Sequence, residues 1–246
     1  KARKASTLVI AFFVKNVLRT DVLGFDSSVI RSAVRIVIAL CCAFGSGIAA
    51  AQSTVPERIL LNSHEDLSSH AVVSWRTESV VEKAIGQIAV ASADPRFVKS
   101  AREVVGSSQS VPLSTGNTVF YHRVRFDGLM PDTAYSYRVG DGKTWSEWID
   151  FRTAKLVRGT EKVEPFSFLY FGDAQNDVKS LWSRAIRNSY RELPKADLLV
   201  HAGDLINRGN NDLEWADWFY AGSFIHGCFP LFGSHSLRNP RTVFPD

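Results

Sequence analysis

Gly172-Asp173 and Gly203-Asp204 stand 31 residues apart, and each follows a short apolar run. Phe166-Ser-Phe-Leu-Tyr-Phe171 leads into the first pair and Asp197-Leu-Leu-Val-His201 into the second, so both read as compact buried strands. Between them Val178, Leu181, Trp182, Ala185, Ile186 and Ser189 recur at helical spacing and form one apolar stripe. A second helix is predicted from about Asp212 to Ser223, with Leu213, Trp215, Ala216 and Phe219 on its inner side. The pattern is β-α-β-α with acidic residues at the carboxyl ends of the strands, where open α/β sheets hold ligands.

Glycine before each aspartate lets the chain turn sharply, so that the carboxylate projects above the sheet. Two such carboxylates suit hard cations about 3.5–4 Å apart, the arrangement used by two-metal hydrolases. Capping of the following helix is the other use of an aspartate in this position. It accounts easily for one Gly-Asp pair and less easily for two in the same strand context.

Upstream, from Pro56 to about Ala154, the periodicity is that of strands. His70 to Arg76 alternates, with Val73 and Trp75 on one face and Val72 and Ser74 on the other. Ile85 to Val90 is a further short run. Val119, Tyr121, Val124 and Phe126 alternate but slip phase midway, which predicts a bulge. Tyr135, Tyr137 and Val139 precede the turn Gly140-Asp141-Gly142, and Trp145 to Phe151 completes the series. Strands at this spacing predict a β-sandwich, and Leu129 to Tyr135 has the spacing of a tyrosine corner. With Trp75, and with Tyr121 to Phe126 through Phe151-Arg-Thr153, this segment resembles the fibronectin-type N-terminal domain of purple acid phosphatases. His64, His70 and His122 are read as surface or packing residues of that sandwich.

The net charge of +4 does not point to nucleic acid. Residues 1–51 carry seven Lys/Arg against two Asp, which leaves 22 basic and 23 acidic groups, a net −1, in residues 52–246. Arg31 and Arg35 precede the apolar run Ile36 to Phe44, and small residues close it at Ala49-Ala50-Ala51. That is the pattern of a secretory signal peptide, with cleavage expected after Ala51 and a periplasmic or secreted product. The run is too short for a membrane span, so no stable span is expected after cleavage. Residues 1–30 exceed what a signal peptide needs, and translation is expected to start near Val29. Cys41 and Cys42 lie in the leader, leaving Cys228 alone and no disulfide in the exported part.

Phe171-Gly-Asp173-Ala-Gln175 and His201-Ala-Gly-Asp204-Leu-Ile-Asn207-Arg208-Gly209 resemble the first two blocks of the calcineurin-like metallophosphoesterase superfamily, which includes the purple acid phosphatases. The resemblance implies two metal ions, iron, manganese or zinc, with Asp173 binding the first and Asp204 bridging both. It places Gln175, where relatives have His, and Asn207 among the metal ligands, and turns Arg208 towards the phosphate of a phosphoester substrate. Asn207 occupies the place of the iron-binding tyrosine of purple acid phosphatases, so a purple tyrosinate–iron pair is not expected. Phe229 to Ser236 stands in the place of the third block. There His235 keeps its position as acid towards the leaving group, and Ser234 replaces a ligating asparagine.

The expected architecture is an all-β fibronectin-type sandwich (56–154), a linker (155–165) and a partial α/β metallophosphoesterase domain (166–246). The expected function is metal-dependent phosphoester hydrolysis of the acid-phosphatase type. No later histidine block precedes Asp246, so the chain is expected to be a truncated and inactive form. The alternative is a non-enzymatic relative whose sandwich serves as a surface-binding module.

Overall fold

Leu60 and Leu61 are both buried, and they belong to different cores. Successive side chains of a strand point to opposite faces, so this one dipeptide sits between two hydrophobic layers. The computed structural model describes residues 53–156 and 165–233. The expected leader, most of the expected linker, Ser234 and His235 lie outside the described residues.

Eight strands build the first part: β1 (Glu57–Asn62), β2 (Ala71–Thr77), β3 (Ile85–Val90), β4 (Arg102–Val105), β5 (Ser107–Pro112), β6 (Thr118–Phe126), β7 (Ala134–Gly140) and β8 (Ile149–Arg152). The second part continues with β9 (Phe168–Phe171), a π-type turn at Val178–Trp182, α1 (Ser183–Glu192) and β10 (Leu198–His201). It ends with α2 (Asp212–Gly222), the single turn α3 (Ile225–Cys228) and β11 (Leu231–Gly233).

A four-stranded sheet runs β4-β3-β7-β8, and a seven-stranded sheet runs β5-β6-β2-β1-β11-β10-β9. The larger sheet changes character midway. β5, β6, β2 and β1 are antiparallel, and β11, β10 and β9 are parallel. The two halves meet where Asn62 of β1 pairs with Leu231 of β11, and the Ser63 amide donates to the Leu231 carbonyl at 3.2 Å.

Between the two sheets Val73, Trp75, Val124 and Phe126 pack against Ile88, Tyr135, Tyr137, Val139 and Phe151. On the helical side Leu60, Leu199 and Leu231 pack against Val178, Trp182, Ile186, Trp215, Trp218 and Ile225. Tyr137 crosses from the sandwich core, its hydroxyl donating to the Gly227 carbonyl of α3 at 2.9 Å.

Five local expectations need correction. β6 has no bulge: its pairing with β2 runs without a break from Ala71↔Phe126 to Thr77↔Phe120. The apparent slip arises because buried His122 takes the inward place in the alternation with Val124 and Phe126. Trp145 makes only an isolated bridge to Gly140, and the last sandwich strand starts at Ile149. The first helical stripe opens with the wider π-type turn, which leaves Leu181 and Ala185 exposed and Val178, Trp182 and Ile186 inside. In α2 Leu213 is exposed, and Trp218, absent from the expected face, is fully buried. Finally, β9 is not a buried strand. Among the described residues it lies at the sheet edge and packs through Leu169 and Phe171, leaving Phe168 and Tyr170 47% and 65% exposed.

Candidate metal centre

Parallel pairing brings Phe171 opposite His201, so the chain leaves β9 and β10 at the same level. The loops that follow are laced together. The Ala202 amide donates to the Phe171 carbonyl at 2.7 Å, the Asp173 amide to the Gly203 carbonyl at 3.2 Å and the Gln175 amide to the Asp204 carbonyl at 2.9 Å. Asp173 and Asp204 both adopt the left-handed backbone region, with φ of 54° and 52°. Aspartate tolerates that region better than most side chains, at a cost of about 1–2 kcal/mol. Gly203, at φ 120°, supplies a conformation that only glycine adopts readily.

Both aspartates are exposed, and neither has an ion-pair partner among the described residues. Gln175 lies against the first of them, its Nε2 donating to Asp173 Oδ1 at 3.1 Å. Asn207 reaches across to the first loop, its Nδ2 donating to Asn176 Oδ1 at 3.1 Å. Thus Asp173, Gln175, Asp204 and Asn207 occupy one pair of adjoining loops. Arg208 belongs to the same loop but is turned towards α2: its amide donates to Glu214 Oε2 at 2.9 Å, and its Nε lies 3.8 Å from Glu214 Oε1.

Two carboxylates and two amides are hard donors of the kind that divalent cations and ferric iron accept. Among the described residues no three His, Cys, Asp or Glu side chains converge. Among the described residues the two adjoining loops thus present the Asp173 and Asp204 carboxylates and the Gln175 and Asn207 amides, short of a three-residue metal-binding cluster.

Behind the loops lies a buried layer of rings. His201 sits among Trp182, Trp218 and Phe171, with centroids 5.5, 6.2 and 6.4 Å away. His201 Nε2 and His226 Nδ1 have no hydrogen-bond partner among the described residues. Burial lowers the His201 pKa to about 4, and burial together with His201 lowers that of His226 to about 3.

Sequence reasoning missed Asn176 and Glu214. Glu214 had a readable signal, since Asn211 and Glu214 have the spacing of a capping box. Asn211 Oδ1 accepts from the Leu213 amide at 3.2 Å and its Nδ2 donates to Glu214 Oε1 at 2.8 Å.

Residues 56–153 match the purple acid phosphatase N-terminal domain. No curated protein sequence matches the chain. Among solved structures, purple acid phosphatase PPD1 from yellow lupin (Lupinus luteus) seeds aligns over 75% of this chain with a TM-score of 0.58 and 14% identity. The structure of PhoD aligns over 76% with a TM-score of 0.54 and 18% identity. The chain spans only 35% and 40% of those two structures. At such identities the likeness is one of fold, and it extends past the sandwich, whose matched domain ends at residue 153. Residues 56–153 therefore form a β-sandwich that matches the purple acid phosphatase N-terminal domain, in a chain similar in fold to parts of PPD1 and PhoD.

Proposed function

We propose that the loops after β9 and β10 form the carboxylate side of a metal-dependent phosphoester hydrolase centre. One observation carries this reading: Asp173 and Asp204, neither with an ion-pair partner among the described residues, stand on left-handed backbone in loops hydrogen-bonded to each other. Asp173 and Asp204 would hold the metal, with Gln175 and Asn207 adding amide oxygens. When bound, the ions supply Lewis acidity towards a phosphoryl oxygen. Arg208 offers a guanidinium whose shape matches phosphate oxygens, and Glu214 keeps it beside the loop. Export to the periplasm or outside the cell belongs to the same reading and is supported by the signal-peptide pattern ending at Ala51. The surface-module alternative fits less well with β1, which carries one residue of each core and pairs with β11.

The test is Mn2+ titration of the full chain by calorimetry, alongside hydrolysis of p-nitrophenyl phosphate. Binding is expected in the parent protein and lost in Asp173→Asn. Equal Mn2+ affinity in parent and variant removes Asp173 from the site and the reading with it.

A further inference from the structure

Asp212, the first residue of α2, is gripped by two arginines of the β-sandwich. Arg58 holds it in a two-pronged pair, Nη1 to Oδ1 at 2.8 Å and Nη2 to Oδ2 at 2.9 Å, and Nη2 also donates to the Asp212 carbonyl at 3.1 Å. Arg76 Nη1 donates to the same Oδ1 at 2.7 Å, and its Nε donates to Glu57 Oε1 at 2.7 Å. The two arginine side chains are only 4% and 6% exposed. Two buried guanidinium groups are thus neutralised by two partly exposed carboxylates, and the forked geometry satisfies several guanidinium donors at once.

Arg58 reaches this position through a strained backbone. Its φ is 53°, and it lies where the β1–β2 register breaks between Glu57 and Leu60. A long side chain in the left-handed region is unfavourable and persists where its surroundings over-determine it. Here the surroundings are the Asp212 fork and the Phe219 ring, whose centroid is 5.8 Å from the guanidinium carbon.

α2 follows the second Gly-Asp loop and holds it at several points. Trp215 Nε1 donates to the Gly209 carbonyl at 2.8 Å, the Arg208 amide to Glu214 Oε2 at 2.9 Å and the Asn211 amide to the Arg208 carbonyl at 2.9 Å. The sandwich touches the loop a second time through Ser114, whose hydroxyl donates to the Asn210 carbonyl at 3.2 Å.

We infer that Arg58, with Arg76, is a positioning residue for the candidate metal centre: through Asp212 the β-sandwich fixes where Asp204, Asn207 and Arg208 stand. The inference rests on the metal-site reading of the Gly-Asp loops, and its test separates the two. Hydrogen–deuterium exchange of the full chain is measured over residues 204–215 and over β3 and β7 of the other sheet, with Mn2+ affinity measured in parallel. Arg58→Met removes the fork, and Asp212→Asn keeps the shape while removing the charge. Both are expected to speed exchange over 204–215 by about tenfold or more, with β3 and β7 unchanged, and to weaken Mn2+ binding by a similar factor. Arg58→Lys, which keeps charge but not the fork, is expected to recover only part of the protection. Parental exchange over 204–215 in both variants overturns the inference. So does an equal acceleration in β3 and β7, which marks a general structural role. A parent protein that binds no Mn2+ overturns the metal reading, and the exchange result then decides on positioning by itself.

Discussion

His226 lies face to face with Trp218, the ring centroids 4.1 Å apart and the planes 16° from parallel. The stack is fully buried in the helical core, and it holds a titratable ring away from water. His201 also lies against Trp218, and His122 is buried in the sandwich between Thr77 and Ser108, 2.8 Å from each hydroxyl. Burial lowers the pKa of His122 and His201 to about 4, and burial with the nearby His201 lowers His226 to about 3.

These three rings make stability depend on pH in a defined direction. The unfolded chain binds protons near pH 6.5, and the folded chain does not until about pH 4 or below. Between those values the unfolded state holds more protons, so stability falls as the pH falls, by up to about 1.4 kcal/mol per pH unit for each histidine. The carboxylates that fold with lowered pKa do not interfere in that window. Asp66 is lowered by the Ser68 and Ser69 hydroxyls, and Asp212 by Arg58 and Arg76 against the opposing effect of burial. Their contributions are lost only below the ordinary carboxylate pKa of 3.8. Thermal melts from pH 7.5 to 4.5 are expected to show a falling Tm, with a shallower fall in His226→Phe, which keeps a ring on Trp218. An unchanged slope in that variant means that His226 titrates normally in the fold.

Gly222 is where α2 passes closest to the same ring. A Cβ added there meets His226 Cε1 and Nε2 at 2.2 Å, well inside contact distance. The ring cannot swing aside without leaving Trp218. Gly222→Ala is therefore expected to destabilise the protein by about 1–3 kcal/mol despite the better helix propensity of alanine. Urea denaturation measures this, and a stability gain shows the ring to be mobile.

In the sandwich the Tyr135 hydroxyl accepts the Met130 amide at 2.9 Å, closing the corner before β7. Thr153 completes it, its Oγ1 donating to the Met130 carbonyl at 2.6 Å and accepting from the Thr133 amide at 3.0 Å. Tyr135→Phe keeps the ring stacked on Phe151, 5.9 Å away, but leaves the Met130 amide without its acceptor. The expected loss is about 1–2 kcal/mol, read from the urea midpoint at unchanged m-value.

Much of this was legible because local periodicity and local partners decided it. The Leu129 to Tyr135 spacing needs a bond across only five residues, and β7 carries Tyr135, Tyr137 and Val139 into the sandwich core as their alternation predicts. The Gly-Asp pairs were legible for the same reason, as each closes its own strand. What sequence could not give came from pairing at a distance. β1 reads as a short apolar run and gives no sign that it meets β11 nearly 170 residues later. Phe168 and Tyr170 look like core residues until β9 is known to be an edge strand. The Arg58–Asp212 pair spans 154 residues, and nothing near either residue announces the other.

Asp204 itself offers the sharpest separation of backbone from charge. At φ 52° asparagine is tolerated and alanine is strained, so the two replacements remove the same carboxylate with different consequences. Without metal, Asp204→Asn is expected to be at least as stable as the parent, since asparagine takes up the left-handed backbone at least as readily as aspartate. Asp204→Ala is expected to lose about 1 kcal/mol from the backbone. Adding Mn2+ should reverse the first comparison. A ligand at a hundred times its Kd stabilises by about 2.7 kcal/mol, and only the parent should gain it. The expected order of Tm is then parent, asparagine, alanine in Mn2+, against asparagine, parent, alanine in its absence. Thermal melts of the three proteins with and without Mn2+ measure both orders. An asparagine variant that rises with Mn2+ as the parent does would place the cation elsewhere and return Asp204 to a purely structural role.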